Sequence, residues 1–244
     1  MKAVQRHVLP EGRGIAAFLL VSVALCSIAL TAGCGAGNAI VRSSFGDILP
    51  SVLKGTEKHA AERARQLPYA SLDLSIDGRG GLIVMAREAG PRTYFQSATR
   101  DVIGLKHGYL AQTAGLKANL LLTRLRYDDG TPETAANYVP PWQRVDAGGP
   151  IAYQVQRQWR DGEGMVHTDT AQAMLACDAN AADVELPLAT IKLQRCRETL
   201  TWASGETTQS TLWRDPDERM LWRVQTVAWP NGPEIAWRVA RPWW

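Results

Sequence analysis

The sequence has little of the chemistry that most enzymes and metalloproteins use. Its 244 residues include four histidines, four cysteines and three phenylalanines. No histidines and cysteines have the spacing of a zinc site, and no serine lies in a Gly-x-Ser-x-Gly elbow. Gly78-x-Gly80-Gly81 predicts a hairpin turn rather than a phosphate-binding loop, because no helix follows it. We therefore predict no bound metal and no cofactor.

The chain also lacks an excess of charge of either sign. Its formal net charge is +3 at pH 7, which indicates neither a nucleic-acid partner nor an anionic membrane surface. One apolar run lies near the N-terminus, and no second long run follows it. We therefore expect nothing beyond that first run to span a bilayer.

Residues 1–33 have the three parts of a secretory signal. One lysine and two arginines make the start positive, and an apolar stretch runs from Ile15 to Leu30. Polar residues interrupt this stretch, and it is short for a membrane span, which needs about 20 residues. The segment ends in Leu30-Thr31-Ala32-Gly33-Cys34, and small residues before a cysteine are typical of a bacterial lipoprotein signal. An ordinary cleaved signal and a retained helix are the alternatives.

Cys34 is accordingly predicted to become the lipidated N-terminus, with residues 34–55 as a tether. Gly35 stands where an aspartate would retain a lipoprotein in the inner membrane, so the sequence favours the periplasmic face of the outer membrane. Each buried CH₂ group of an acyl chain contributes roughly 0.8 kcal/mol, so several chains make a stable anchor. Residues 56–244 are predicted to be a single domain.

Two further cysteines, Cys177 and Cys196, lie in the predicted domain. The periplasm is oxidising, so a disulfide is favoured over the alternative of two free buried thiols.

Hydrophobic residues in the domain alternate with polar ones at a period of two, as in Leu72, Leu74 and Ile76. Glycine- and asparagine-rich turns separate these runs, which predicts sequential antiparallel hairpins. We therefore predict a mostly β fold of about ten or more strands, curved or closed into a barrel-like sheet. The segment 57–65 predicts a short helix that ends before Pro68, and 171–176 is compatible with strand or helix.

The region 128–150 is rich in proline and glycine and predicts a long loop, which is often a functional element. Of the nine tryptophans, Trp222 and Trp237 are expected to pack inside the sheet. Trp142 in the loop and Trp243 and Trp244 at the end are the candidate contacts for glycan or a partner protein, because loop and end positions are less often core.

The histidines of the domain give no convincing catalytic set. His59 lies in the charged helix and His107 in a tight turn, so both are expected at the surface. His167 and Asp169 are two residues apart on a strand and would share a face, but this pair is common by chance. We therefore predict a protein that is not an enzyme.

Several segments resemble the YjbF family, the group 4 capsule polysaccharide lipoproteins. They extend from about Ala60 to the C-terminus, and the most specific is the hairpin that leads into Thr113-Ala114-Gly115-Leu116. Where members of the family often have an Asn-Gly-Arg turn, this chain has Lys106-His107-Gly108-Tyr109. The other segments are Tyr69-Ala70-Ser71-Leu72, Leu82 to Ala86, Gln96-Ser97-Ala98, Leu212-Trp213-Arg214-Asp215 and Met220-Leu221-Trp222-Arg223-Val224-Gln225.

The resemblance implies a mostly β outer-membrane lipoprotein encoded beside genes for capsule or exopolysaccharide production, and it supplies no catalytic residue. The leading hypothesis is a non-enzymatic accessory factor that binds polysaccharide or an export-machinery protein. A periplasmic lipid- or lipoprotein-handling β-cup is the alternative. An enzyme acting on polysaccharide is a third hypothesis, which would need two carboxylates facing across a cleft.

The anchor gives a direct prediction. Replacing the lipidated cysteine, Cys34→Ala, removes the site of acyl attachment, so the protein should leave the membrane fraction. Cell fractionation followed by immunoblotting measures this, with the wild-type chain as control. A Cys34→Ala protein that still sediments with outer membranes would show that the anchor is assigned wrongly.

Overall fold

The computed structural model describes residues 57–146 and 149–244, which lie in one compact unit. The signal, Cys34 and the tether at 34–55 lie outside the described residues. Helix α1 spans Glu57–Gln66, as predicted, and ends before Pro68, which disfavours helical geometry at the residue before it. None of the described helices has the length and apolar character needed to cross a membrane.

Twelve antiparallel strands form the rest of the domain and confirm the predicted fold. They are β1 (Ser71–Ile76), β2 (Arg79–Ala89), β3 (Arg92–Gln96), β4 (Val102–Lys106), β5 (Tyr109–Ala114), β6 (Asn119–Tyr127), β7 (Ile151–Arg160), β8 (Val166–Glu185), β9 (Thr190–Trp202), β10 (Thr207–Arg214), β11 (Leu221–Val227) and β12 (Glu234–Arg241).

Consecutive strands pair with each other, except for β5 and β6, and the chain's first and last strands also pair. The order in the sheet is β5-β4-β3-β2-β1-β12-β11-β10-β9-β8-β7-β6. The first strand therefore pairs with the last, Leu72 opposite Val239 and Leu74 opposite Trp237, while β5 and β6 are the two edges. These edges lie against each other, so the sheet is a nearly closed barrel shape.

Side chains bridge the two edges. The backbone N–H of Leu120 in β6 donates to the Thr113 hydroxyl in β5 at 2.9 Å. At the opposite end of β6, the chain turns back along the strand, and the N–H of Glu133 donates to the carbonyl of Leu125 at 3.1 Å. The carboxylate of Glu133 then forms a 3.2 Å ion pair with Lys106 of β4. Closure at this seam therefore depends on side chains and on the loop after β6.

The tight turns are those that the sequence predicts. Asp77 and Gly78 have φ of 48° and 76°, and His107 and Gly108 have φ of 50° and 79°. Two successive residues with positive φ match the right-handed twist of the flanking strands, and glycine adopts this geometry without steric cost.

One hydrophobic cluster fills the inside of the sheet and includes residues from every strand. Trp237 is 1% exposed, as expected, whereas Trp222 is partly buried and packs against the cluster. A second, smaller cluster forms where Ala64 of α1 packs with Leu82 and Ala240. The helix therefore covers the outside of the sheet near β2 and β12.

Cys177 and Cys196 form the predicted disulfide. They are directly opposite each other in β8 and β9, just before the register of this pair shifts between Cys177 and Ala181. The segment 171–176, compatible with strand or helix in the sequence, is part of β8.

Loss of this disulfide should destabilise the domain measurably. In the chain-entropy model, a cross-link closing a loop of this length contributes roughly 3 kcal/mol. The double variant Cys177→Ser/Cys196→Ser is therefore expected to lower the free energy of unfolding by about that amount in denaturant titrations. The oxidised wild type is the control, and an unchanged unfolding midpoint would contradict the prediction.

Candidate functional site

We call the long connection between β6 and β7, residues 128–150, the closing loop. Its described residues, 128–146 and 149–150, cover one end of the sheet. Consecutive connections in an antiparallel sheet alternate between its ends, so the β4–β5 and β10–β11 turns lie at this same end. Arg219 of the latter turn donates to the carbonyl of Gln143 and forms a 2.7 Å ion pair with Asp146. The loop is thus fixed to the sheet by charged hydrogen bonds.

Trp142 is not at the surface, and the prediction of an exposed contact residue there is wrong. It is 1% exposed and stacks on Tyr109, with ring centroids 5.0 Å apart and planes 18° apart. The cause is the one-turn helix α2, Pro141–Arg144, which turns the ring toward the interior. Proline suits the first position of a helix, because the N–H that it lacks has no helical partner there.

A polar network lies beneath this ring, inside the sheet. The carboxylate of Glu198 in β9 accepts hydrogen bonds from Tyr109 of β5, at 2.9 and 3.1 Å, and from Tyr153 of β7. Burial raises the pKa of both tyrosine hydroxyls, and the carboxylate raises them further. Both hydroxyls therefore remain protonated and can donate.

Arg157 supplies the positive charge of the network. It is fully buried, donates to the Tyr109 hydroxyl at 3.0 Å and to the carbonyl of Val227, and lies over the ring of Trp202 at 5.7 Å. The network thus connects β5, β7, β9 and β11 across the interior.

A second buried guanidinium holds the closing loop from inside. Arg214 donates to the side-chain oxygen of Gln194 at 2.6 and 2.9 Å and to the carbonyl of Trp142. Burial lowers its pKa to about 10, so it remains charged at neutral pH.

None of these polar residues is predicted from the sequence as part of a site, although the sequence contains a signal for the placement of Glu198. Glu198 alternates with Cys196, Leu200 and Trp202, so the period of two assigns it to the inner face of β9. The pattern does not reveal the hydrogen-bond partners of Glu198, Tyr153 and Tyr109, which are 45 and 89 residues away in the chain.

Two clefts adjoin the closing loop and share Tyr138. The open cleft has a volume of about 380 Å³ and is lined by Tyr127, Asp129, Thr131, Asn137, Tyr138, Val139 and Arg144. The seam cleft lies between β5 and β6, and its free space of about 10 Å³ has room for about one water molecule. Three polar atoms in the lining of the seam cleft have no hydrogen-bond partner among the described residues: Thr123 Oγ1, Tyr138 Oη and Trp142 Nε1.

The histidines of the domain differ in how far they match expectation. His107 is half-buried and lines the seam cleft, so the prediction that it is exposed is wrong. Burial lowers the pKa of His107, and the charge of Lys106 lowers it further. His167 contacts Asp161 at 2.7 Å, whereas Asp169 accepts the backbone N–H groups of Thr170 and Ser204. His59 is exposed, as expected.

Of the two terminal tryptophans, Trp244 is the more exposed. Trp243 packs edge-on against Phe95 at 5.1 Å and against Trp244 at 4.5 Å. Trp244 is 43% exposed and meets Trp222 at 5.0 Å. Its ring remains accessible to a partner, and that role stays a prediction. Within the described residues, no three His, Cys, Asp or Glu side chains are grouped as metal ligands.

Fold and site together define a disulfide-bonded antiparallel domain whose open end is covered by a cleft-bearing loop. The family model for the group 4 capsule polysaccharide lipoproteins gfcB and YjbF matches residues 46–238. The chain therefore belongs to the YjbF family, a family of lipoproteins, as the sequence resemblance predicted.

A solved structure agrees with this assignment at the level of the fold. The crystal structure of the hypothetical lipoprotein YmcC from Escherichia coli K12 is similar, with a TM-score of 0.62 and 15% identity. The similarity covers 76% of this chain and 90% of YmcC. No curated protein matches the chain.

The buried network should dominate stability in this part of the domain. Glu198→Ala leaves two buried tyrosine hydroxyls without their acceptor and removes the carboxylate from the network that contains Arg157. Breaking a buried charged set costs roughly 3–5 kcal/mol, so we expect the free energy of unfolding to fall by that order. Urea titrations monitored by tryptophan fluorescence measure the change. Glu88→Ala, at an exposed position of β2, is the control and should change stability by less than about 0.5 kcal/mol. Equal effects would contradict a structural role for the network.

Proposed function

We propose that this protein is a non-enzymatic accessory factor in capsule or exopolysaccharide production or export. It is held at the periplasmic face of the outer membrane by acyl chains on Cys34. The observation that carries the proposal is the family match over residues 46–238, whose description joins a lipoprotein to capsule polysaccharide. The Leu30–Cys34 string and Gly35 support the anchor and its membrane.

The surroundings of the buried carboxylate support a binding role over a catalytic one. Glycoside hydrolysis uses two carboxylates that face each other across a cleft open to the sugar. Glu198 is instead fully buried and engaged by two tyrosine hydroxyls, under the ring of Trp142. This arrangement suits a group that stabilises the fold.

The contents of the sheet favour polysaccharide over lipid as the ligand. A lipid carrier needs a wide cavity lined by aliphatic side chains, which is the feature expected of the alternative β-cup. Here the interior holds the large side chains of Trp202, Trp237 and Tyr153 together with the charged Arg157 and Glu198. The open cleft, which is lined mainly by residues of the closing loop, combines polar and aromatic side chains, as small-molecule sites do.

Gene deletion tests the proposal. A strain that lacks this protein and any redundant copy is expected to secrete less polysaccharide, measured as sugar in the culture supernatant and at the cell surface. Complementation with the wild-type chain should restore secretion, and complementation with Cys34→Ala should restore it poorly. Normal secretion in the deletion strain would reject the proposed function.

A further inference from the structure

The open cleft has a floor of two tyrosine rings and a rim of polar side chains. The rings of Tyr127 and Tyr138 lie 5.7 Å apart at their centroids. The Arg144 guanidinium lies over the Tyr127 ring at 4.5 Å. Tyr127 is 5% exposed, so Tyr138 is the ring that the cleft presents more openly. An aromatic face of this kind suits the apolar C–H face of a sugar ring.

Three planar polar groups stand at the rim: the carboxylate of Asp129, the amide of Asn137 and the guanidinium of Arg144. All three residues are exposed. The Asn137 amide makes no hydrogen bond with any residue that the structure describes, so its donors and acceptor are available. Planar groups of these types can bond two adjacent hydroxyls at once, because each presents two polar atoms side by side.

The loop conformation holds this rim in place. The Tyr127 hydroxyl donates to the carbonyl of Val139, and the backbone N–H of Thr131 donates to Asp129 Oδ1 at 2.8 Å. Hydrogen bonds from Thr131 lower the pKa of Asp129, which favours its charged, accepting form. A rim fixed before a ligand arrives loses less conformational freedom when the ligand binds.

The seam cleft beside it has unmet hydrogen-bonding capacity. Tyr138 Oη, Trp142 Nε1 and Thr123 Oγ1 are buried and lack partners among the described residues, and they line a space of about 10 Å³. Trp142 and Thr123 are 1% and 6% exposed. Buried polar groups in folded proteins almost always have a partner. The seam cleft is large enough for one water molecule, which would give these atoms a hydrogen-bond partner.

The size and charge of the open cleft point to one class of ligand. Its volume of about 380 Å³ lies at the lower end of the range for small-molecule sites, roughly 300–1,000 Å³. One carboxylate and one guanidinium line it, so their charges balance and a polyanion gains little there. The combination of ring, amide and balanced charges suits a neutral, hydroxyl-rich segment.

We infer that the open cleft binds a short neutral segment of polysaccharide, with one sugar ring on Tyr138 and its hydroxyls on Asp129, Asn137 and Arg144. This inference rests on the proposed function and deepens it, since it names the class of sugar and the residues that hold it.

The test measures binding to the full-length lipoprotein in lipid nanodiscs, by saturation-transfer NMR and calorimetry. The probes are neutral mannohexaose and cellohexaose, an anionic alginate hexamer, a neutral decapeptide, and the host's own secreted polysaccharide. We expect the host polysaccharide and at least one neutral oligosaccharide to bind. Asn137→Ala should weaken that binding about fivefold, the factor that loss of roughly 1 kcal/mol produces, and Asp129→Asn should also weaken it.

Matched controls separate the cleft from the rest of the surface. Asn180→Ala and Asp183→Asn change exposed residues of β8 outside the cleft and should leave binding unchanged. Equal affinity of Asn137→Ala and wild type would overturn the inference, as would preferential binding of the alginate or the peptide. Reduced secretion in the deletion strain, together with full complementation by Asn137→Ala, would retain the proposed function and reject this site.

Discussion

The constraint on which the rest of this structure depends is the meeting of two sheet edges. The strands β5 and β6 lie against each other as the ends of a twelve-stranded sheet. An edge strand presents N–H and C=O groups that need partners. Here Thr113 and the returning chain at Glu133 supply some of them. The closing loop is therefore part of the fold, and its position follows from the need to complete the seam.

The buried network joins the edge strand β5 to strands that are far from it in the sheet order. Glu198, Tyr109, Tyr153 and Arg157 connect strands on different sides of the interior. Removing charged groups from water is costly, and the cost is offset only when each group has good partners. A buried network that links distant strands favours one arrangement of strands, because alternative pairings would leave its members without partners.

Most of the fold could be predicted from local sequence, and much of the site could not. The period of two at Leu72, Leu74 and Ile76 and the turns at Asp77-Gly78 and His107-Gly108 depend on neighbouring residues, so the sequence reveals them directly. The inward turn of Trp142 depends on Tyr109 and Arg214, which are distant in the chain. A local pattern does not indicate such distant contacts. The prolines beside Trp142 are typical of an exposed loop, so the sequence predicts exposure there.

The closing loop thus helps to complete the seam between β5 and β6 with its inner side and carries the candidate site on its outer side. Trp142 faces Tyr109 and the network, whereas Asn137 and Asp129 face solvent. Changes on the inner side should act through the free energy of unfolding, while changes at the rim should act through affinity alone. Because Tyr138 belongs to both clefts, it is the residue where the two effects meet. Because the Tyr138 hydroxyl oxygen is buried, a change of Tyr138 should alter the free energy of unfolding as well as affinity.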